Sequence, residues 1–245
     1  RCRRIQNMWR RVEVRLTDAE VDGYLEIYDI GDSSSVSLIA SYRAFETYNR
    51  QDEDGTGDAC DDDMDGDGIP NDFDPSPTDK DLPGIAKATV IYAHTDKTLY
   101  TIEQSTYGVN EVGLFQWPPE LTEYNPRMTD IALDRYGVLY GITFGSLFAC
   151  HPDTAACSFL ATLPGSFNGL TLIPKGILNS ETDSFVGIST TGLWNQMIVK
   201  GDTVNVSLLG SYGANEFGVS YKSSGDAFSI ESVGTFAAVY TTMSG

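Results

Sequence analysis

Between Gln51 and Asp74 nearly every second residue carries a carboxylate, and glycines stand where a tight loop would need them. Such a stretch has almost nothing apolar to bury, so no hydrophobic gain offsets the entropy of ordering it. Either it stays a solvated acidic run or a cation folds it. The spacing favours the cation. From Asp63 the order runs Asp63, Asp65, Asp67, Gly68, Ile69, Asn71, Asp74. Side-chain oxygens fall at loop positions 1, 3, 5, 9 and 12, glycine falls at 6, and Ile69 at 7 can offer its carbonyl. This is the order in which a loop wraps calcium, a hard cation that takes roughly six to eight oxygen ligands. Gly68 allows the sharp turn that a Cβ would obstruct.

The preceding residues repeat the scheme with Asp52, Asp54, Gly55, Thr56, Asp58 and Asp61. Position 1 of that loop is Arg50, which cannot ligate calcium, so the loop is incomplete or borrows a ligand. A register starting at Asp61, with Gly66 at position 6, fits the first half of a loop. It puts Ile69 at position 9 and ranks second. Aspartate runs are commonly solvated spacers. Glycine at position 6 of both loops, with Ile69, Pro70 and Phe73 embedded, argues against that here.

Gly57-Asp-Ala-Cys-Asp61, followed by Asp-x-Asp-Gly-Asp-Gly-Ile-Pro-Asn-Asp-x-Asp, resembles the thrombospondin type 3 repeat over residues 49–81. The resemblance implies extracellular, calcium-filled loops with little regular secondary structure. The sequence departs from the family at Arg50, where the family has Asp. It departs again at Ser76-Pro77, where the family often has the Cys-Pro that pairs with the cysteine of Asp-Ala-Cys-Asp, here Cys60. Whether Cys60 pairs with Cys2 stays open.

The net charge of −19 comes from 16 basic and 35 acidic residues. Thirteen of the acids and one lysine lie in residues 51–81, so the imbalance is mostly local. No basic patch exists beyond the extreme N-terminus, so no nucleic-acid partner is expected. Apolar runs are too short for a membrane span. Cys150 and Cys157 bracket a turn-like hexapeptide, and a disulfide across a hairpin is expected there. Zinc with His151 is the rival, but no second cysteine pair supports it. Calcium loops of this kind need extracellular levels of the ion, so the protein is expected outside the cell or at its surface. The ends at Arg1 and Gly245 show no obvious cap, and a piece of a longer protein is expected.

These loops must be carried by something, and the rest of the chain reads as strands. Residues 12–16 alternate, and residues 24–30 and 36–42 flank a Gly/Ser turn, which predicts a β-hairpin. The stretch 24–42 is similar to a blade of LVIVD-type β-propellers, which implies that residues 1–48 end a preceding β-domain. Residues 82–87 read as a linker. Over 88–245 the pairs Leu99-Tyr100, Leu147-Phe148 and Leu193-Trp194 recur 48 and 46 residues apart, with about four short strands per round. The unit resembles a generic β-propeller blade. The expected fold class is all-β: a short N-terminal hairpin region, an irregular calcium-loop segment, and a propeller-like domain of about 3–4 blades, an incomplete ring. A sandwich or an open stack is the alternative.

Catalytic signals are weak. Of the two histidines, His94 sits in an alternating strand and reads as a surface or pocket residue. No nucleophile elbow, metalloprotease helix motif or phosphate-cradling loop occurs. A glycosidase needs two positioned carboxylates. Asp130, Asp134, Glu181 and Asp183 are candidates by type, although Asp130 to Asp134 reads as a strand flanked by turn residues. Trp117, Tyr124, Tyr136, Tyr140 and Trp194 could stack on sugars, but such residues are more often packing. The expectation is a calcium-binding extracellular or cell-surface mosaic protein. Its connector would be stiffened by calcium and its β-domain would bind a protein or polysaccharide. The alternative is a secreted carbohydrate-active hydrolase or lyase with structural calcium.

Overall fold

The computed structural model describes the backbone of three strands between residues 12 and 43, and residues 61–119, 121–200 and 203–241. All regular elements among them are β-strands. The chain divides into two compact units, residues 1–80 and 81–245.

In the first unit, β1 (Val12–Leu16), β2 (Tyr24–Asp29) and β3 (Ser37–Arg43) form an antiparallel meander. Leu25 pairs with Leu16 on one side and Tyr42 on the other, and a bulge interrupts the β2–β3 ladder at Ile27/Tyr28. The hairpin expected from the alternating runs is present. The rest of this unit that is described, from Asp61 onward, is a chain of turns without strand or helix. Its composition explains this: Ile69 is its one fully buried large side chain.

The second unit is a succession of antiparallel meanders, each built from consecutive strands. The first is β4 (Val90–His94), β5 (Thr98–Glu103) and β6 (Val109–Leu114). Next come β7 (Asp130–Leu133), β8 (Leu139–Ile142), β9 (Ser146–Cys150) and β10 (Cys157–Thr162). A matching four follow: β11 (Phe167–Ile173), β12 (Ser184–Ser189), β13 (Leu193–Lys200) and β14 (Thr203–Ser211). The hairpin of β15 (Tyr221–Ile230) and β16 (Gly234–Thr241) is last. A single parallel pair, Thr162 with Thr203, joins β10 to β14 and links the two four-stranded meanders into an eight-stranded sheet. The two end strands of that sheet, β7 and β11, pack on each other, so it nearly closes. β15 packs on both, and β4 on β7, so the first strands converge.

The repeat is visible in the residues. Ile91, Leu139 and Phe185 each stand eight positions before the leucines of Leu99-Tyr100, Leu147-Phe148 and Leu193-Trp194. Each stretch makes one hairpin: β4–β5, β8–β9 and β12–β13. The third position of the motif is small in every copy, as Ala93, Gly141 and Gly187. At Gly141 a Cβ would strike the sulfur of Met128, and at Gly187 it would strike Met197, so large side chains lie flat on the strand there. The core gathers Leu99, Phe115, Met128, Leu139 and Phe148 around Cys150 and Cys157. β9 is buried along its whole length. Burial of this kind stabilises by about 25 cal/mol per Å² of apolar surface.

The Leu-aromatic pairs open β9 and β13, the third strands of the two four-stranded meanders. The repeat is therefore out of phase with the rounds that those pairs suggest. The pair at Leu147-Phe148 marks the fully buried β9, that at Leu193-Trp194 a more open β13, and the breaks between meanders fall in the segments before β7 and β11.

Candidate metal centre

The acids of the turn-rich segment divide by face. Asp61, Asp63, Asp65, Asp67 and Asp74 turn inward and are half-buried or buried, while Asp62 and Asp72 are exposed. The inward set is held by aspartate turns, in which one carboxylate oxygen accepts the N–H two residues on. Asp61 Oδ1 accepts the Asp63 amide at 2.9 Å, Asp67 Oδ1 the Ile69 amide at 2.7 Å, and Asp74 Oδ1 the Ser76 amide at 2.7 Å. Asp65 Oδ1 takes the Asp67 amide at a longer 3.3 Å. The second oxygens of Asp61, Asp65, Asp67 and Asp74 are buried without a protein partner. Four orphaned carboxylate oxygens in one short segment would be costly unless something cationic meets them.

Asp63 behaves differently. Its Oδ1 accepts the Gly66 amide at 3.2 Å and its Oδ2 the Gly68 amide at 2.9 Å, so it shapes the turn as well as facing its neighbours. Both glycines have positive φ, 73° at Gly66 and 95° at Gly68, a conformation a Cβ would strain. Asn71 closes the loop: its backbone N–H donates to the Asp62 carbonyl at 2.8 Å. Its Nδ2 donates to the Asp61 carbonyl at 2.7 Å, and its Oδ1 accepts the Met64 amide at 3.0 Å. Through these bonds Asn71, expected as an oxygen ligand, also joins the two ends of the loop. Ile69 anchors the loop by its buried side chain.

One oxygen each of Asp63, Asp65 and Asp67 lies within 4.8 Å of the others. Ligands about 2.3–2.6 Å from a calcium ion can stand that far apart across it. Burial raises the Asp74 carboxyl to about 6, with further push from Asp67, Asp65 and Asp63, and burial likewise raises Asp67. The donor set thus fits calcium: hard oxygens, half-buried and mutually repelling. Asp61, assigned above to the end of the first loop, also belongs to the inward set, as the lower-ranked register would have it. Asp52, Asp54, Thr56 and Asp58, along with Cys2 and Cys60, lie outside the described residues.

Cys150 and Cys157 are bonded to each other and stand opposite in the β9–β10 ladder. Their sulfurs are therefore not free thiolates for zinc. His151 shapes the connecting turn, accepting the Asp153 amide at Nδ1.

The remaining candidates find structural partners. Asp134 caps its turn by accepting the amides of Tyr136 and Val138 at 2.9 Å. Asp183 is clasped by the Arg135 guanidinium and accepts the Lys175 amide. Glu181 is exposed. Tyr140 meets Phe185 edge-on, Trp194 meets Tyr212, and Trp117 meets Phe148, so these aromatics pack. Tyr136 is half-buried, and Tyr124 is 97% exposed. Sequence reasoning had Asp130 as a candidate carboxylate by type and His94 as a surface or pocket residue, but did not bring the two together. Asp130 is buried and accepts amides from Ile131, Leu170 and Ala227, and His94 faces it. The signal that could have found His94 is its place in the repeat, where the other copies carry Ile142 and Ile188.

A family model of the thrombospondin type 3 repeat matches residues 51–81. No curated protein matches the chain with significance. The match covers the inward aspartates, so the segment is a thrombospondin type 3 repeat. Among the described residues, no helix is long and apolar enough to cross a membrane.

Proposed function

We propose that the chain is part of an extracellular or cell-surface mosaic protein. Residues 49–81 act as a calcium-stiffened connector, and residues 88–245 as a binding or adhesion module for a protein or polysaccharide. The observation that carries the calcium reading is the set of buried, unpartnered oxygens on Asp61, Asp65, Asp67 and Asp74. Asp63, Asp65, Asp67 and Asp74 hold the ion, with the Ile69 carbonyl between them and Asn71 keeping the loop closed. Asp52, Asp54, Thr56, Asp58 and Asp61 of the preceding loop supply further calcium ligands.

The hydrolase or lyase alternative would need two positioned carboxylates. Where the first strands converge, the carboxylate of Asp130 is engaged by three backbone amides and Asp226 is exposed, which supports binding over hydrolysis.

Calorimetric titration of the chelator-treated chain with calcium tests the reading. Heat of binding that vanishes from the 63–74 loop in the paired Asp65→Ala, Asp67→Ala variant is the expected result. A wild-type chain that takes up no calcium would return the stretch to an acidic spacer.

A further inference from the structure

The second unit carries another cluster of metal-ligating side chains, remote in sequence from the calcium loops. His94 ends β4, Asp130 opens β7 and Asp226 lies within β15. One ligand atom of each lies within 4.8 Å of the other two. The His94 and Asp130 side chains are 12% and 5% exposed, whereas Asp226 is open to solvent and supplies a way in.

The three residues meet where β4 and β15 pack on β7. The amides of Ile131, Leu170 and Ala227 converge on one carboxylate, that of Asp130, at 2.9, 2.7 and 3.1 Å. Burial raises this carboxyl, and the amide donors work against that by favouring its anion. Oδ2 accepts two of the three, and Oδ1, which accepts only the adjacent Ile131 amide, faces His94.

The imidazole is also fixed. Its Nδ1 lies 3.0 Å from the Thr95 carbonyl, an acceptor only, so Nδ1 carries the proton. Nε2 faces Asp130 Oδ1 across 3.9 Å, with a lone pair when the ring is neutral; burial pulls the ring's pKa down, but Asp130 and the Thr95 carbonyl raise it above its usual value on balance. That gap is too long for a hydrogen bond, and in neutral imidazole it sets acceptor against acceptor. An ion that bonds each atom at about 2.0–2.2 Å in a tetrahedral site would draw the two together to about 3.4 Å. A histidine whose second nitrogen donates to a backbone carbonyl is the usual posture of a metal ligand. His94 also occupies a repeat position where Ile142 and Ile188 are fully buried, so a polar ring has replaced an aliphatic side chain there.

We propose that His94, Asp130 and Asp226 form a site for a divalent transition-metal ion of the zinc class where the first strands of the repeats converge. Two carboxylates and a neutral imidazole balance the charge of the ion, and the imidazole selects it over calcium, which prefers oxygen alone. The exposure of Asp226 leaves a coordination position for water or for a ligand group.

The test is a zinc titration of the full chain already saturated with calcium, followed by calorimetry and, with cobalt(II) in place of zinc, by visible absorption. The expected result is one zinc per chain in addition to any held by the calcium loops, with an imidazole-type cobalt spectrum. Asp226→Asn and His94→Ile each weaken that binding more than about tenfold. The paired Asp65→Ala, Asp67→Ala variant leaves it intact. His94→Ile restores the aliphatic residue of the other repeats, and its thermal melting shows that loss of metal is not loss of fold. No such zinc, or zinc that binds equally in both variants, overturns the proposal. A His94 imidazolium paired with Asp130 at neutral pH in the zinc-saturated chain, read from its ring nitrogen shifts, overturns it as well.

Discussion

A carboxylate buried at the first residue of a short strand would destabilise the fold if nothing met it. Asp130 is met by three amides, two of them from residues 40 and 97 positions away. Burial pushes its carboxyl up, and His94 with the Leu170 and Ile131 amides pulls back against that. Asp130→Ala would leave the Leu170 and Ala227 amides buried without acceptors, at a cost of about 3–5 kcal/mol. Urea unfolding of the full chain should show the loss as an earlier transition of the β-domain, with the calcium response of residues 61–74 unchanged. The contrast with Asp134 shows what a sequence reveals. Asp134 serves amides two and four residues on, which is local chemistry and legible as a turn. The donors of Asp130 and the partner of His94 come from other repeats, and no local pattern announces them. The inward aspartates of the calcium loop were legible because their partners are two residues away.

At the scale of elements, period-2 runs located the strands of β1–β3 and most of those in the second unit. The phase of the repeat was not legible, because the Leu-aromatic pairs open the third strand of each four-stranded meander rather than the first. The β9–β10 hairpin was legible from cysteine spacing, and it sits in the main core beside Leu139 and Phe148. Its disulfide closes a short loop, and its removal costs about 2 kcal/mol or more by restoring freedom to the unfolded chain. The Cys150→Ala, Cys157→Ala double variant should therefore melt at a lower temperature than the oxidised parent. A reducing agent should lower the parent's melting point similarly and leave the variant's unaffected.

For the whole molecule, the division at residue 80 puts the acidic turn-rich segment in one unit and the meanders β4–β16 in the other. If calcium holds the segment as proposed, its withdrawal leaves thirteen acids in residues 51–81 repelling one another. Chelation should accordingly accelerate proteolytic cleavage between residues 50 and 80 while residues 88–245 stay intact. Equal cleavage with and without chelator would remove the stiffening role. The near-closure of the eight-stranded sheet, by contrast, depends on β7 meeting β11 across intervening strands, a long-range fact that the all-β pattern implied only in outline.

The latch at Asn71 has a mechanical meaning. By fastening itself to the carbonyls of Asp61 and Asp62, it folds ten residues of chain back on themselves. Drawn straight, those residues would span about 35 Å. On the proposed calcium reading this loop is slack held in reserve: under tension the segment would keep a fixed length while the ion is bound, and would lengthen in a discrete step when the ion and the latch give way together.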